Sequence, residues 1–302
     1  MANAKRRSPW KAELDDLMRA IAGAFLFGAP FLYTMEVWWK GNFTKPPRML
    51  LLLGIAYAVL ILLNLQGGFR KGGLKTWIQI FTEAVEALAI ALVCVTFSLI
   101  LIGVIRFETG LEAIMGRIIT EALPFSLGVG IANNVLLAAD EDNNNSKSEG
   151  KSESKNDGNA LVESDQAQAV WYGTLADAGA TALGAIIVSA SIAPTDEIPM
   201  ISSMISIPWL LIIIAVSLLL SYIIVFQASF GGQATRRSQP GFFQSPMSET
   251  FASYLISLLV ALSMLWLFQL VHVGDPMTQW VSYTLVLGFP ATIGGAAGRL
   301  AL

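Results

Sequence analysis

Eight long apolar runs restrict this chain to a narrow range of folds. A helix needs about 20 apolar residues to cross the roughly 30 Å hydrocarbon core of a bilayer. The runs are 18–39, 49–66, 76–105, 115–138, 171–194, 207–230, 248–271 and 278–301. Only 14% of the 302 residues are charged, against about 25% in an ordinary soluble domain, so the charges cannot cover a water-soluble globule. The sequence predicts an all-α polytopic membrane protein that lies in the lipid bilayer.

The distribution of Lys and Arg predicts how the helices are oriented. Cytoplasmic loops of membrane proteins carry an excess of these residues. With the N-terminus inside, 14 of the 19 Lys and Arg fall in inner segments and five fall in outer loops. This asymmetry favours both termini in the cytoplasm and therefore an even number of transmembrane helices, eight. Seven spans is the alternative, if the Pro-containing fourth or eighth run does not cross.

Four short patterns recur in the same order in the two halves of the chain. They begin or centre on Ala22 and Ala178, Pro47 and Pro208, Glu83 and Glu249, and Pro124 and Pro290, at offsets of 156, 161, 166 and 166. Coincidental similarity is the alternative explanation, because Gly and Ala are common in membrane helices. The ordered matches predict two parallel four-helix repeats, related by a two-fold axis along the membrane normal.

The chain therefore divides into four segments. Residues 1–17 are predicted to form a cytoplasmic N-terminal amphipathic segment, with Pro9 at the start of a short surface helix. Repeat 1 covers 18–138 and repeat 2 covers 169–302. Between them, 139–168 contains eight acidic residues and three lysines and almost nothing apolar to bury, which predicts a disordered acidic cytoplasmic linker.

Ionisable residues inside spans are costly to bury and are candidate functional residues. Glu83 and Glu86 lie three residues apart in the third run, so they share one helical face. Two carboxylates this close disfavour joint ionisation, so the pair would hold a proton or a cation. Glu249 is the counterpart of Glu83 in the second half. The alternative for both is stabilisation at a helix start, with Thr82 and Ser248 as caps.

Further residues are secondary candidates for the same site. Asp177 is expected at a helix start, where free N–H groups stabilise a carboxylate. Glu36 and Glu121 are expected near the outer interface, in contact with water. The inner ends of the fourth and eighth runs carry Asn133, Asn134 and Arg299. These three either meet the carboxylates there or face the cytoplasm, and the sequence favours the cytoplasm.

Three prolines, Pro30, Pro124 and Pro290, lie inside the apolar runs. Each leaves the carbonyl four residues earlier without its helical donor, and for Pro290 this is the carbonyl of Val286. Such carbonyls line ion sites in some transporters. A kink accommodated by neighbouring helices is the more common outcome.

Residues that the chain lacks exclude several activities. It has one Cys, Cys94, and one His, His272, which excludes a disulfide framework, a Cys/His zinc site and bis-histidine haem ligation. We predict no cofactor and assign no metal. A net charge of −3 does not indicate nucleic-acid binding. No activated nucleophile with a neighbouring base is indicated, so we predict that the protein is not an enzyme.

Several stretches of the first half carry a resemblance to known sequences. They are AGAFLFGAPFLYTMEVWW at 22–39, PPR at 46–48, GGFR at 67–70 and EAVEALAI at 83–90. The chain resembles an uncharacterised bacterial family of integral membrane proteins, a domain of unknown function. The resemblance implies about seven spans, which conflicts with the even number that the charge distribution favours. It also implies a bacterial cytoplasmic (inner) membrane and a second small membrane protein as partner. It implies no activity, so no functional residue is carried over.

These observations together predict a transporter or channel for a cation or proton. Glu83 and Glu86 would bind the ion, with Glu249 as the counterpart in the second half. The alternative is a non-transporting scaffold or assembly subunit for a partner membrane protein. The second small membrane protein and a second copy of the chain are the candidate protein partners.

Overall fold

The computed structural model describes residues 9–70, 76–133, 162–228 and 245–301. These residues form ten α-helices and one π-helical turn. The helices are α1 (Pro9–Leu32), α2 (Met35–Gly41), α3 (Pro46–Arg70), α4 (Trp77–Leu101), α5 (Leu111–Ile131), α6 (Val162–Ile192), α7 (Glu197–Met204), α8 (Ile207–Tyr222), α9 (Pro246–Leu267) and α10 (Met277–Ala301). The π-helical turn, Ile223–Gln227, extends α8.

Seven of the described helices are long and apolar enough to cross a membrane, namely α3, α4, α5, α6, α8, α9 and α10. The pair α1 and α2 is an eighth candidate, because the two helices meet the same criteria when they are taken together. The prediction of an all-helical polytopic membrane protein is confirmed, with seven and at most eight spans among the described residues.

The first apolar run, 18–39, is not one continuous helix. α1 ends at Leu32, α2 begins at Met35, and the two axes differ by 89°. Thr34, between them, has φ −105° and ψ 89°, which lies outside the helical region. The indole N–H of Trp38 donates to the Leu32 carbonyl at 3.3 Å across the bend. The first predicted span is therefore two helices with a sharp bend and not one continuous helix.

Two predicted segment boundaries also differ from the structure. α1 begins at Pro9 and continues without a break, so residues 9–17 belong to the same helix as the span and not to a separate surface helix. Most of the predicted linker, 139–168, lies outside the described residues, but its last seven residues are helical because α6 begins at Val162.

Within each half, the first and last long helices pack closely through glycines. Gly23 of α1 faces Gly128 of α5, and Gly184 of α6 faces Gly294 of α10. A Cβ atom added to either member of a pair would overlap the carbonyl oxygen or neighbouring backbone of the other. Small residues at a crossing allow two helix backbones to approach closely. α5 and α10 also contact the two long helices that precede each of them, so each is the central helix of its half.

The two halves meet at α1, which packs against α10 and against the π-helical turn. The ring of Phe25 in α1 packs edge-on against Phe125 of α5 and Phe289 of α10, with ring centroids 5.8 and 6.4 Å apart. The hydroxyl of Tyr33 donates to the Val286 carbonyl of α10 at 2.6 Å. All of these aromatic side chains are buried, so an aromatic cluster lies at this contact between the halves.

The Tyr33 hydrogen bond has a simple backbone cause. Pro290 lies inside α10 and has no N–H to give to the Val286 carbonyl, which would otherwise lie unpaired inside the protein. Tyr33 supplies the missing donor. At this proline, accommodation by a neighbouring helix is therefore the outcome that the structure shows.

Candidate functional site

Glu121 is a fully buried carboxyl group in the middle of a helix that is long and apolar enough to cross a membrane. It is the central residue of α5, which runs from Leu111 to Ile131, and 0% of its surface is exposed. Neither carboxyl oxygen has a hydrogen-bond partner among the described residues. The expectation that Glu121 lies near the outer interface in water is wrong, because α5 begins earlier than the apolar run suggested and turns this residue into the bundle.

The packing of α5 shows which helix Glu121 faces. Phe125 and Gly128, about one and two turns further along, lie on the same side of the helix as Glu121. A Cβ on Gly28 of α1 would overlap the Phe125 ring, and Gly128 faces Gly23 of α1. These pairings run in opposite directions along the two helices, so α1 and α5 are antiparallel. The same register places Glu121 opposite the C-terminal end of α1, where the chain bends into α2.

Arg117 lies one turn before Glu121 but is engaged elsewhere. Its Nε donates to the side-chain oxygen of Asn42 at 2.6 Å, and a terminal nitrogen donates to the Val104 carbonyl. These bonds attach α5 to the segments that follow α2 and α4. A carboxylate with neither a donor nor a cation is costly to bury. The Glu121 site is therefore suited to hold a proton or to take up a cation.

A second charged cluster lies at the C-terminal end of α10. Arg299 is 1% exposed and forms an ion pair with the carboxylate of Glu249. It also lies 3.9 Å from the Oδ2 atom of Asp177 and donates to the Ser253 hydroxyl at 2.9 Å. The structure thus places Arg299 among the carboxylates and not in the cytoplasm. Because Arg299 neutralises Glu249, this cluster is a structural ion-pair network.

The predicted helix starts need correction in the second half. Asp177 is not at a helix start, because α6 begins at Val162, and its side chain is 51% exposed beside Arg299. Glu249 does lie in the first turn of α9. The cap of that helix is Ser245, whose hydroxyl accepts from the Ser248 N–H at 3.2 Å.

The predicted pair of Glu83 and Glu86 is not buried in the helix bundle. Glu86 is exposed and Glu83 is half-buried. Thr82 is not a helix cap: α4 is capped by Thr76, which forms a capping box with Gln79, and Thr82 donates back to carbonyls of its own helix. Among the described residues, no group of three or more His, Cys, Asp or Glu could hold a metal ion.

The remaining candidates are scattered. Glu36 is exposed in the first turn of α2, and Asn133 is half-buried just after α5. Asn134 lies outside the described residues.

Three buried polar atoms were not singled out from the sequence. Glu197 Oε2, Ser189 Oγ and Thr284 Oγ1 are buried without a hydrogen-bond partner among the described residues. The sequence held one signal for Glu197. It follows Glu36 by 161 residues, and the same offset separates Pro47 at the start of α3 from Pro208 at the start of α8.

Comparison with known proteins identifies one family match. The family described as "Putative integral membrane protein (DUF2391)" matches residues 16–302. No curated protein and no solved structure matches the chain. The family description agrees with the seven apolar membrane-length helices and names no activity.

Proposed function

The chain belongs to this family of integral membrane proteins, and we propose that it carries a cation, most simply a proton, across the membrane through Glu121. The observation that supports the proposal is the burial of this carboxyl group at mid-membrane without a partner among the described residues. Ionisable side chains in such positions are expensive and typically mark ion or proton pathways.

The surroundings of Glu121 favour a proton over a metal cation. Calcium takes six to eight oxygen ligands, and a single carboxyl group supplies two. The described residues contain no acidic or histidine cluster that would complete such a shell. A proton needs one carboxyl oxygen only. Discontinuous helices line ion sites in transporters, and Glu121 faces the bend between α1 and α2 with Pro124 one turn further along α5.

Glu121 replaces Glu83 and Glu86 as the proposed ion-binding residue for a physical reason. Glu86 faces outwards, and the counterpart Glu249 is neutralised by Arg299. A transported ion needs a path that is separated from lipid, and only an inward-facing carboxyl group can lie on it.

The proposed architecture is a pair of parallel four-span repeats. The close glycine contacts support it, because α1 meets α5 as α6 meets α10. These contacts match Gly23 with Gly184, at an offset of 161. The offset of 156 suggested by the Gly/Ala pattern is therefore replaced by the one that also relates Pro47 to Pro208.

Helix ends in the second part of each half give independent support. α4 ends at Leu101 and α9 at Leu267, 166 residues apart. Two residues later, Gly103 and Gln269 both have a positive φ, 74° and 62°. In both places the next residue donates its N–H five residues back at 2.9 Å, the bond of a left-handed helix end. α5 and α10 then begin at Leu111 and Met277, again 166 apart.

The repeats differ at the proposed site. At an offset of 166, the position of Glu121 corresponds to Leu287, a buried apolar residue of α10. The proposal therefore gives each chain one ion site, located in the first half.

The repeat also favours eight spans over seven. α1 corresponds to α6, which qualifies as a span from Thr174 to Ile192. With eight spans both termini lie on one side. The excess of Lys and Arg supports a cytoplasmic location for that side, and we propose that the membrane is a bacterial inner membrane.

A flux experiment tests the transport proposal. Purified protein in liposomes is exposed to H⁺, Na⁺, K⁺ and Ca²⁺ gradients, with a pH-sensitive dye inside for the proton. We expect proton flux from the wild type, and flux at the level of empty liposomes from Glu121→Gln. Glu112→Gln is the matched control, because Glu112 is an exposed glutamate in the first turn of the same helix.

Three results would contradict this assignment. Absence of wild-type flux for every ion would leave transport without support. Wild-type flux from a folded Glu121→Gln variant would remove Glu121 from the pathway. Loss of flux in Glu83→Gln but not in Glu121→Gln would move the site to the inner part of α4.

A second candidate function is a non-transporting assembly subunit, and one observation favours it. The Glu86 side chain is exposed on α4, a candidate membrane-spanning helix. A carboxyl group that faces lipid favours contact with a partner protein. No catalytic step belongs to either candidate function.

A further inference from the structure

The exposed face of α4 carries a charged residue where lipid is expected. The exposed positions along this face are Gln79, Thr82, Glu86, Ala89, Val93 and Phe97. The opposite face of the helix is buried against the bundle and consists mainly of Ala, Val, Leu and Ile. Glu86 thus lies in the centre of an outward-facing stripe that becomes apolar towards the C-terminal end of the helix.

Glu86 is too deep in the membrane to reach water. α4 runs from Trp77 to Leu101, so its central residue is Ala89. At 1.5 Å per residue, Glu86 lies only about 4.5 Å along the axis from that centre. In a hydrocarbon core about 30 Å thick, this places its Cα about 10 Å from the nearer surface, further than a glutamate side chain extends.

No described residue compensates the Glu86 carboxylate. Neither a hydrogen bond nor an ion pair is present for it in the described part of the chain. The neighbouring polar groups are already used within the helix. Thr82 donates to the carbonyls of Ile78 and Gln79, and the side chain of Gln79 accepts from the N–H of Thr76. Lipid tails offer no donor, so the Glu86 carboxylate has no partner among the described residues or in the surrounding lipid.

We propose that the exposed face of α4 docks a transmembrane helix of a second protein, and that this helix carries a Lys or Arg near its mid-depth. The charge of Glu86 dictates the chemistry of the occupant, because a buried carboxylate needs a cation or a strong donor. Ala89, one turn from Glu86 on the same face, allows close approach of the docked helix. The inference does not depend on the transport proposal.

A second copy of this chain does not meet the requirement. Copies inserted in the same direction and related by a two-fold axis at this face would place Glu86 against Glu86, and like charges repel. The exposed basic residues of the described chain are Lys11, Lys40, Lys45, Arg48 and Arg106. All of them lie in loops or within a few residues of helix ends, away from the depth of Glu86.

A designed probe helix tests the proposal. The probe is a Leu/Ala transmembrane peptide with one central Lys, and its control has Leu in place of the Lys. Energy transfer is measured between the labelled peptide and the labelled full-length protein in liposomes. We expect the Lys peptide to bind the wild type about five- to thirtyfold more tightly than it binds Glu86→Gln, since one polar contact between membrane helices contributes about 1–2 kcal/mol in model peptides.

Matched variants separate this result from the transport assay. Glu112→Gln removes an exposed carboxylate at a helix end and should bind the peptide as the wild type does, and so should Glu121→Gln. Equal binding of the Lys and Leu peptides, or unchanged binding to Glu86→Gln, would overturn the proposal. Energy transfer between two labelled copies of the protein that is lost in Glu86→Gln would overturn it too, in favour of a homodimer.

Discussion

At the residue scale, the buried polar groups differ mainly in whether a partner is available. Arg299 is surrounded by Glu249, Asp177 and Ser253, and the Val286 carbonyl has Tyr33. Each of these arrangements satisfies a group that would otherwise be costly to bury. Glu121 has no such arrangement among the described residues. This contrast separates the structural polar groups from the proposed site.

The Tyr33 hydrogen bond gives a residue-scale prediction. Tyr33→Phe should lower the free energy of unfolding by about 1–3 kcal/mol, because it leaves a buried carbonyl without a donor. In a Pro290→Ala background the loss should be smaller, since the alanine N–H can bond to the Val286 carbonyl within the helix. Unfolding in mixed micelles as a function of denaturing detergent measures all four variants. An equal loss in both backgrounds would show that Pro290 is not the reason for the bond.

At the element scale, glycine pairs control how closely the helices approach. Gly128 faces Gly23, and Gly294 faces Gly184, with no room for a Cβ. The glycine-rich runs were visible in the sequence, but their partners were not, because a one-dimensional pattern does not say which helix packs against which.

Alanine substitutions test the element-scale packing. Gly128→Ala and Gly294→Ala should each destabilise the protein by about 1–3 kcal/mol through overpacking. Gly54→Ala, on an exposed part of α3 with nothing within 4 Å of the added Cβ, should be neutral or stabilising by up to about 1 kcal/mol. Thermal unfolding in detergent distinguishes these outcomes. Similar effects at all three positions would contradict close contact at the two pairs.

At the scale of the whole molecule, the number of spans depends on how α1 and α2 are counted. Their 89° bend allows either one broken span or a re-entrant segment. The proposed repeat favours a span, since α6, the counterpart of α1, is long and apolar enough to cross on its own.

Reporter fusions decide the whole-molecule question. A reporter after residue 302 and another inserted between 140 and 165 should both be cytoplasmic, because four spans separate the second position from each terminus. Paired reporters that are active only in the cytoplasm or only in the periplasm measure this directly. A periplasmic C-terminus with a cytoplasmic reporter between 140 and 165 would require an odd number of spans in the second half and would end the proposal of two parallel four-span repeats.

The sequence alone determined that the chain is an all-helical membrane protein and where its apolar runs lie, because the length needed to cross a bilayer is a property of consecutive residues. It also contained the proline spacing and the 161- and 166-residue offsets. Only the tertiary structure decided which charged residues face inwards. Glu86 and Glu121 both lie inside apolar helices, yet one is exposed and the other is fully buried. That difference comes from the rotation of each helix against its neighbours, which depends on contacts between residues far apart in the chain.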